Sequence, residues 1–252
     1  MSTVGNYISG VRRLFTLLEL DLPPSNSIEV QLALKGLKRT NCIVPKRATP
    51  LTPLILLDVF KVINLKDKLH VAVWCALLFG FFAMFRISQM CPKNSSQVSK
   101  VLHHKDIVVT SRCCYITLKW SKTIQCRQRE VTIPLLALSD SPLCPVTAYK
   151  LLCAASVFSQ SMPVFQNDSA NVLLYKEFTT IFKHLIALTG RDPSGFTTHS
   201  MRRGGATWAF KCGVPEHLIQ VQGDWASDAY KKYLDISLDQ KMSVFKLMSS
   251  SL

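Results

Sequence analysis

FTTHSMRRGGATWAFKCGVPEHLIQVQGDWASDAYKKYL, residues 196–234, decides how the chain is read. His199 and Arg202 stand three apart, so on a helix they share one face. Gly204 and Gly205 follow, then an apolar run. Gly213-Val-Pro215 ends that helix and starts another, because glycine suits a C-terminus and proline a first turn. Gly223-Asp-Trp225 breaks the second helix, and a short third segment carries Tyr230 and Tyr233.

Phosphoryl transfer fits these residue types. Arginine neutralises non-bridging phosphate oxygens with a planar, permanently charged fork. A tyrosine hydroxyl forms a covalent intermediate if a neighbour removes its proton, and histidine handles protons near neutral pH. A lone His-x-x-Arg is a weak signal, equally met at a solvated basic helix end followed by a packing aromatic. The ordered set of His, Arg, Gly-Gly, Gly-Val-Pro, Gly-x-Trp and Tyr is far harder to meet by chance.

That set resembles the C-terminal half of the tyrosine recombinase (phage integrase) family. HSMRRGGATWAF, GVPEHLIQ and GDWASDAYKKYL are most similar to recombinases of eukaryotic mobile elements of the DIRS, Ngaro and Crypton types. The resemblance covers roughly residues 50–250 and is dense only in this block. It implies a mainly α fold with a small three-stranded antiparallel sheet: a catalytic domain over 54–252, preceded by a linker at 45–53 and part of a helical core-binding domain at 1–44.

Composition agrees with a nucleic-acid partner. At 252 residues, 48% apolar and 18% charged, the chain is long and apolar enough for a folded core. The net charge of +14 favours a polyanion, nucleic acid ahead of an anionic membrane. Nine scattered cysteines include no Cys-x-x-Cys and no Cys/His cluster at zinc spacing, which points to reduced, buried, intracellular thiols. The most apolar run, residues 71–85, is too short for a membrane span and fits a buried helix.

Upstream, residues 3–20 read as an amphipathic helix with Arg12 and Arg13 between its apolar positions. Ser27 caps a second helix running to about Arg39. The resemblance implies that these are the end of a DNA clamp whose beginning the chain lacks. The proline-rich stretch 41–53 carries Lys46 and Arg47 and reads as a backbone-tracking linker or a plain connector.

Residues 54–65 and 70–85 read as a helix pair, the second apolar on nearly every side. Arg86 at its end needs an anionic partner or an exit to solvent. The family has its first catalytic arginine in an Arg-x-Ser-Glu pattern. Arg86 and Ser88 match it, and Gln89 replaces the acid. Residues 107–109, 115–118 and 131–133 alternate with period two and read as strands. The second connection gathers Lys119, Lys122, Arg127 and Arg129. The family carries a lysine on this turn, and Trp120-Ser-Lys-Thr123 selects Lys122 over Lys119, with a hairpin tip that only touches phosphate as the alternative. Helices over 141–156 and 175–188 read as scaffold, and His184 as a core or surface residue. The tail 235–252 is polar to amphipathic and packs either on its own domain or on a neighbouring protomer.

The roles implied by the resemblance are as follows. Tyr233 attacks a backbone phosphate, Arg86 and Arg202 hold its oxygens, Lys122 protonates the leaving 5′-oxygen and His199 manages the tyrosine proton. Trp225 supplies an indole N–H. Arg12, Arg13, Lys46, Arg47, Lys119 and Arg203 contact the DNA backbone. The chemistry calls for no nucleotide cofactor, no metal and no small-molecule substrate. The partners are double-stranded DNA and further copies of the chain assembled on it as a dimer or tetramer, with no membrane, and the place is the nucleus. Tyr230 competes with Tyr233. The family's nucleophile stands nine residues after a polar site residue, and that count lands on Asp224, with Trp225 one residue closer. An aspartate there repels phosphate unless protonated or turned away. A DNA-binding derivative without cleavage is therefore the second reading.

Overall fold

The computed structural model describes residues 2–21, 27–40, 47–120, 124, 129–156, 159–234, 242 and 249. Lys46, Lys122, Arg127 and nearly all of the tail lie outside the described residues. The chain divides into two compact units, Met1–Arg47 and Ala48–Leu252.

The first unit holds helices α1 (Ser2–Leu17) and α2 (Ile28–Thr40). Ser27 caps α2 as its sequence suggests, its Oγ accepting the Val30 N–H at 3.4 Å. Arg13 is exposed and Arg12 half-buried on α1, and Arg47 at the end of the unit is exposed.

The second unit is built round α4 (Lys68–Phe82), which is buried from Val71 to Phe81. An all-round apolar helix must sit inside, and this one packs against three others. Asp67 starts it, accepting the Leu69 and His70 N–H groups at 2.8 and 3.1 Å. Before it comes α3 (Pro53–Val62), capped by Thr52 with proline in its first turn. After it, β1 (Ile107–Val109), β2 (Cys113–Leu118) and β3 (Val131–Leu136) form an antiparallel sheet in the order β1-β2-β3. Ile107 faces Ile116, and Ile116 faces Ile133, so one apolar face lies on the core. The third strand runs on past residue 133 through Pro134. It is an edge strand, where a missing N–H is tolerated on the open side.

Helix α5 (Pro145–Ala155) starts at its second proline, later than residue 141. Helix α6 (Tyr175–Leu188), packed on α3 and α4, has the boundaries read from the sequence, buries Phe178, Phe182, Leu185 and Ile186, and leaves His184 exposed. Two short helices, α7 (His199–Lys211) and α8 (Glu216–Gln222), and a 3-10 turn (Asp228–Tyr233) complete the unit. The fold is mainly helical with one small sheet, as the sequence suggests. No described helix is long and apolar enough to cross a membrane. Cys75, Cys91, Cys113, Cys114 and Cys144 are buried free thiols, whereas Cys212 at the α7 C-cap is exposed.

The two glycines of α7 set its position. A Cβ on Gly204 would collide with the main chain of Leu51, and one on Gly205 with the carbonyl of Phe81. The Leu51 N–H donates to the Ser200 carbonyl at 3.0 Å along the same approach. Both neighbours are backbone, so no side-chain rotation makes room. This close seating lays the His199 end of α7 beside the end of α4.

Candidate active site

Arg202 is the most buried charge of the site, 2% exposed. One guanidinium nitrogen, Nη1, donates to the Met84 carbonyl, and Nη2 donates to the Gly223 carbonyl at 2.6 Å. The arginine thereby joins the loop after α4 to the end of α8. Burial, and next the charge of Arg86, push its pKa down to about 9, so it stays cationic at neutral pH. Its plane lies over the Trp225 ring, 3.7 Å from the centroid.

Two non-glycine residues in the left-handed region flank this arginine, Met84 at φ 53° and Asp224 at φ 50°. Such a backbone costs on the order of 1–3 kcal/mol per residue and persists where the surroundings fix it. At Met84 it aims the carbonyl at Arg202 and ends α4 early. Arg86 therefore stands past the helix, not at its end, with extended backbone at φ −76° and ψ 141°.

Among the described residues, the buried Nη1 of Arg86 has no hydrogen-bond partner. A buried donor without a partner costs about 1–3 kcal/mol, more if charged, so the geometry favours an anion here. Burial lowers its pKa, while Asp224 and Tyr233 act in the opposite sense. Gln89 is buried and accepts the Arg86 backbone N–H through Oε1 at 2.6 Å. It supports the arginine's main chain.

His199 opens α7. Its ring lies 6.4 Å from that of Tyr233. Although His199 keeps an exposed side, desolvation and then the charges of Arg202 and Arg86 hold its pKa below the ordinary histidine value. A neutral imidazole at pH 7 is the form that accepts a proton.

Trp225 is buried, with Tyr233 and Tyr230 at ring distances of 5.7 and 6.1 Å. Gly223 is required by this ring, since a Cβ there would strike the indole. The two tyrosines differ sharply. Tyr230 is 4% exposed and its hydroxyl donates to Glu216 Oε2 at 3.0 Å. Burial and that carboxylate raise its pKa. Tyr233 is half-buried beside His199 and Trp225, and Thr207 Oγ1 on α7 donates to its carbonyl at 2.6 Å.

Asp224 is 6% exposed and pairs with Arg129, which stands just before β3. The sequence puts the aspartate at the nine-residue spacing, and the structure turns its carboxylate to a cation from the sheet. The site thus gathers Arg86, His199, Arg202, Trp225 and Tyr233. Lys122 lies outside the described residues. Lys119 pairs with the buried Asp106 at 2.9 Å, so its charge is already matched in part. Arg203 departs from the expected open phosphate contact. Ser200 to Thr207 of α7 are buried, and Arg203 is only 8% exposed, its Nε without a hydrogen-bond partner among the described residues.

Sequence reasoning missed Glu216, Met84 and the role of Arg129. Glu216 had the signal of an acid in a helix first turn, and Arg129 that of one charge among several in the second connection. Met84 gave none. Among the described residues no three His, Cys, Asp or Glu side chains gather as a metal site.

No protein-family model matches the chain, and no curated protein does. Solved structures do. The XerH site-specific recombinase in a post-cleavage complex with a palindromic difH substrate aligns with a TM-score of 0.60 at 16% identity, over 81% of this chain and 53% of that one. The Tn1549 transposon integrase, residues 82–397, in complex with circular intermediate DNA aligns at 0.57 and 14% identity, over 97% and 78%. The XerA recombinase aligns at 0.55 and 12%, over 96% and 73%. The chain spans about half the length of the XerH chain it matches. The fold is that of the tyrosine-recombinase catalytic domain.

Proposed function

We propose that the chain cuts and rejoins DNA strands through a 3′-phosphotyrosine intermediate, as a recombinase or integrase of a DIRS-, Ngaro- or Crypton-like mobile element acting in the nucleus. The observation that carries this is the buried Nη1 of Arg86, which has no hydrogen-bond partner among the described residues and stands within the electrostatic reach of Arg202, His199 and Tyr233. The Tyr233 oxygen bonds to phosphorus as the bond to the 5′-oxygen breaks. His199 takes the tyrosine proton and Lys122 gives one to the leaving oxygen. Arg86 and Arg202 neutralise the charge that builds on the non-bridging oxygens. A 5′-hydroxyl attacking the same phosphorus reverses the step and frees the tyrosine. Double-stranded DNA is the partner, with two or four copies of the chain assembled on it, and the basic balance of the chain supports this.

Tyr230 is unsuited as nucleophile because Glu216 occupies its hydroxyl. The test is a nicked or bulged duplex from the element's own ends, mixed with protein and run on a denaturing gel. A covalent band from wild type and Tyr230→Phe, absent from Tyr233→Phe, is the expected result. The second reading, a DNA-binding derivative that does not cleave, draws on the carboxylate of Asp224 beside the cleft. Tight, salt-sensitive binding with no covalent band from any form would establish it in place of the first.

A further inference from the structure

Among the described residues, Asp224 is the carboxylate whose charge acts on both Arg86 and Arg202. It therefore sits where it would compete with, and repel, any phosphate placed there. Its side chain is 3% exposed, and its left-handed backbone fixes its direction. Against it lies Arg129, whose side chain is 54% exposed and whose Nη2 holds Asp224 Oδ1. Arg129 comes from another part of the fold. It leads into β3 at Val131, at the exit of the connection that carries Lys122.

We infer that Arg129 is a positioning residue: by pairing with Asp224 it neutralises the carboxylate, leaves Arg86 and Arg202 free for a phosphodiester, and ties the exit of the lysine-bearing connection to the Gly223-Asp-Trp225 turn. The inference rests on the proposed phosphate cleft. It adds a residue and a reason for an aspartate at a position where a bare negative charge would block binding. With the Arg129 charge removed, the carboxylate acts more strongly on Arg86 and Arg202, whose charges it already reaches.

The test uses the full chain with inorganic phosphate as probe, binding being read from the rise in unfolding midpoint with phosphate concentration. Wild type, Arg129→Ala, Asp224→Asn and the double variant form a cycle, with Arg129→Lys as the conservative form and Arg86→Ala to mark the cleft. Arg129→Ala should weaken phosphate binding roughly tenfold, and Asp224→Asn in the same chain should restore it. Arg129→Lys should fall between. A merely structural role for Arg129 would leave the double variant as weak as the single. Equal losses from Arg129→Ala with and without Asp224 would make Arg129 a direct phosphate ligand and overturn the inference. So would an affinity that none of the four changes. If Arg86→Ala also leaves binding untouched, the cleft reading falls with it. A missing covalent DNA band beside an intact cycle removes only the chemistry at Tyr233.

Discussion

The guanidinium carbon of Arg202 lies over the indole of Trp225, 3.7 Å from its centre, while two of its nitrogens donate to the carbonyls of Met84 and Gly223. One side chain thus fixes the loop that precedes Arg86, the end of α8 and the ring that Tyr233 packs against. Trp225→Ala should lower stability by about 3 kcal/mol, the usual loss for a buried large aromatic. Trp225→Phe should keep most of it, since a phenyl face also attracts the cation. Urea unfolding of both variants checks this.

Gly204→Ala and Gly205→Ala should each cost about 1–3 kcal/mol, because the added methyl meets main chain at Leu51 and Phe81. Gly10→Ala is the contrast. It lies within α1 with nothing near its Cβ position, and should gain up to about 1 kcal/mol in helix preference. Thermal unfolding midpoints separate the two outcomes.

His104 is 3% exposed, with Nδ1 2.8 Å from the Tyr149 hydroxyl. Burial, and next the neighbouring His103, push its pKa down to about 4 from 6.5. The unfolded chain therefore binds this proton first. The group's stabilising effect is full above pH 6.5 and is lost as pH falls from there to about 4, a change on the order of 3 kcal/mol. Urea midpoints taken across that window should fall steeply in wild type and less in His104→Gln.

His199 also has a lowered pKa, caused first by desolvation and then by Arg202 and Arg86. In the proposed role of proton acceptor for Tyr233 it works when neutral. The rate of covalent joining should therefore hold level down through the ordinary histidine range and fall only at lower pH. His199→Gln should be slower throughout and lose that acid limb. A single-turnover pH series measures it.

Much of this was legible in the sequence, for identifiable reasons. The boundaries of α6 follow its apolar period and its Thr189-Gly190 end. The turns at Gly213-Val-Pro215 and Gly223 were marked by residues whose backbone chemistry announces them. Arg86 was harder to place. The apolar run continues to Phe85, so periodicity carries the helix to the arginine, yet the chain leaves the helix at Phe82. The cause is a left-handed Met84, and methionine gives no sign of that conformation. The choice between the tyrosines was likewise closed to spacing. What sets the two apart is the hydroxyl partner of Tyr230, a glutamate 14 residues away in sequence. The pairing of Arg129 with Asp224 joins residues 95 apart, beyond any local pattern.

Thr207 holds the main chain of Tyr233 on the same helix that presents His199 at its other end. The helix is therefore a ruler. From His199 to Thr207 there are eight residue rises, about 12 Å, and that length sets how far the tyrosine's anchor stands from its histidine. The segment between them, α8 included, is held separately, by the Arg202 bond to the Gly223 carbonyl and by the Trp225 ring under the same guanidinium. One residue inserted between His199 and Thr207 changes the ruler itself and swings the histidine about 100° round the axis.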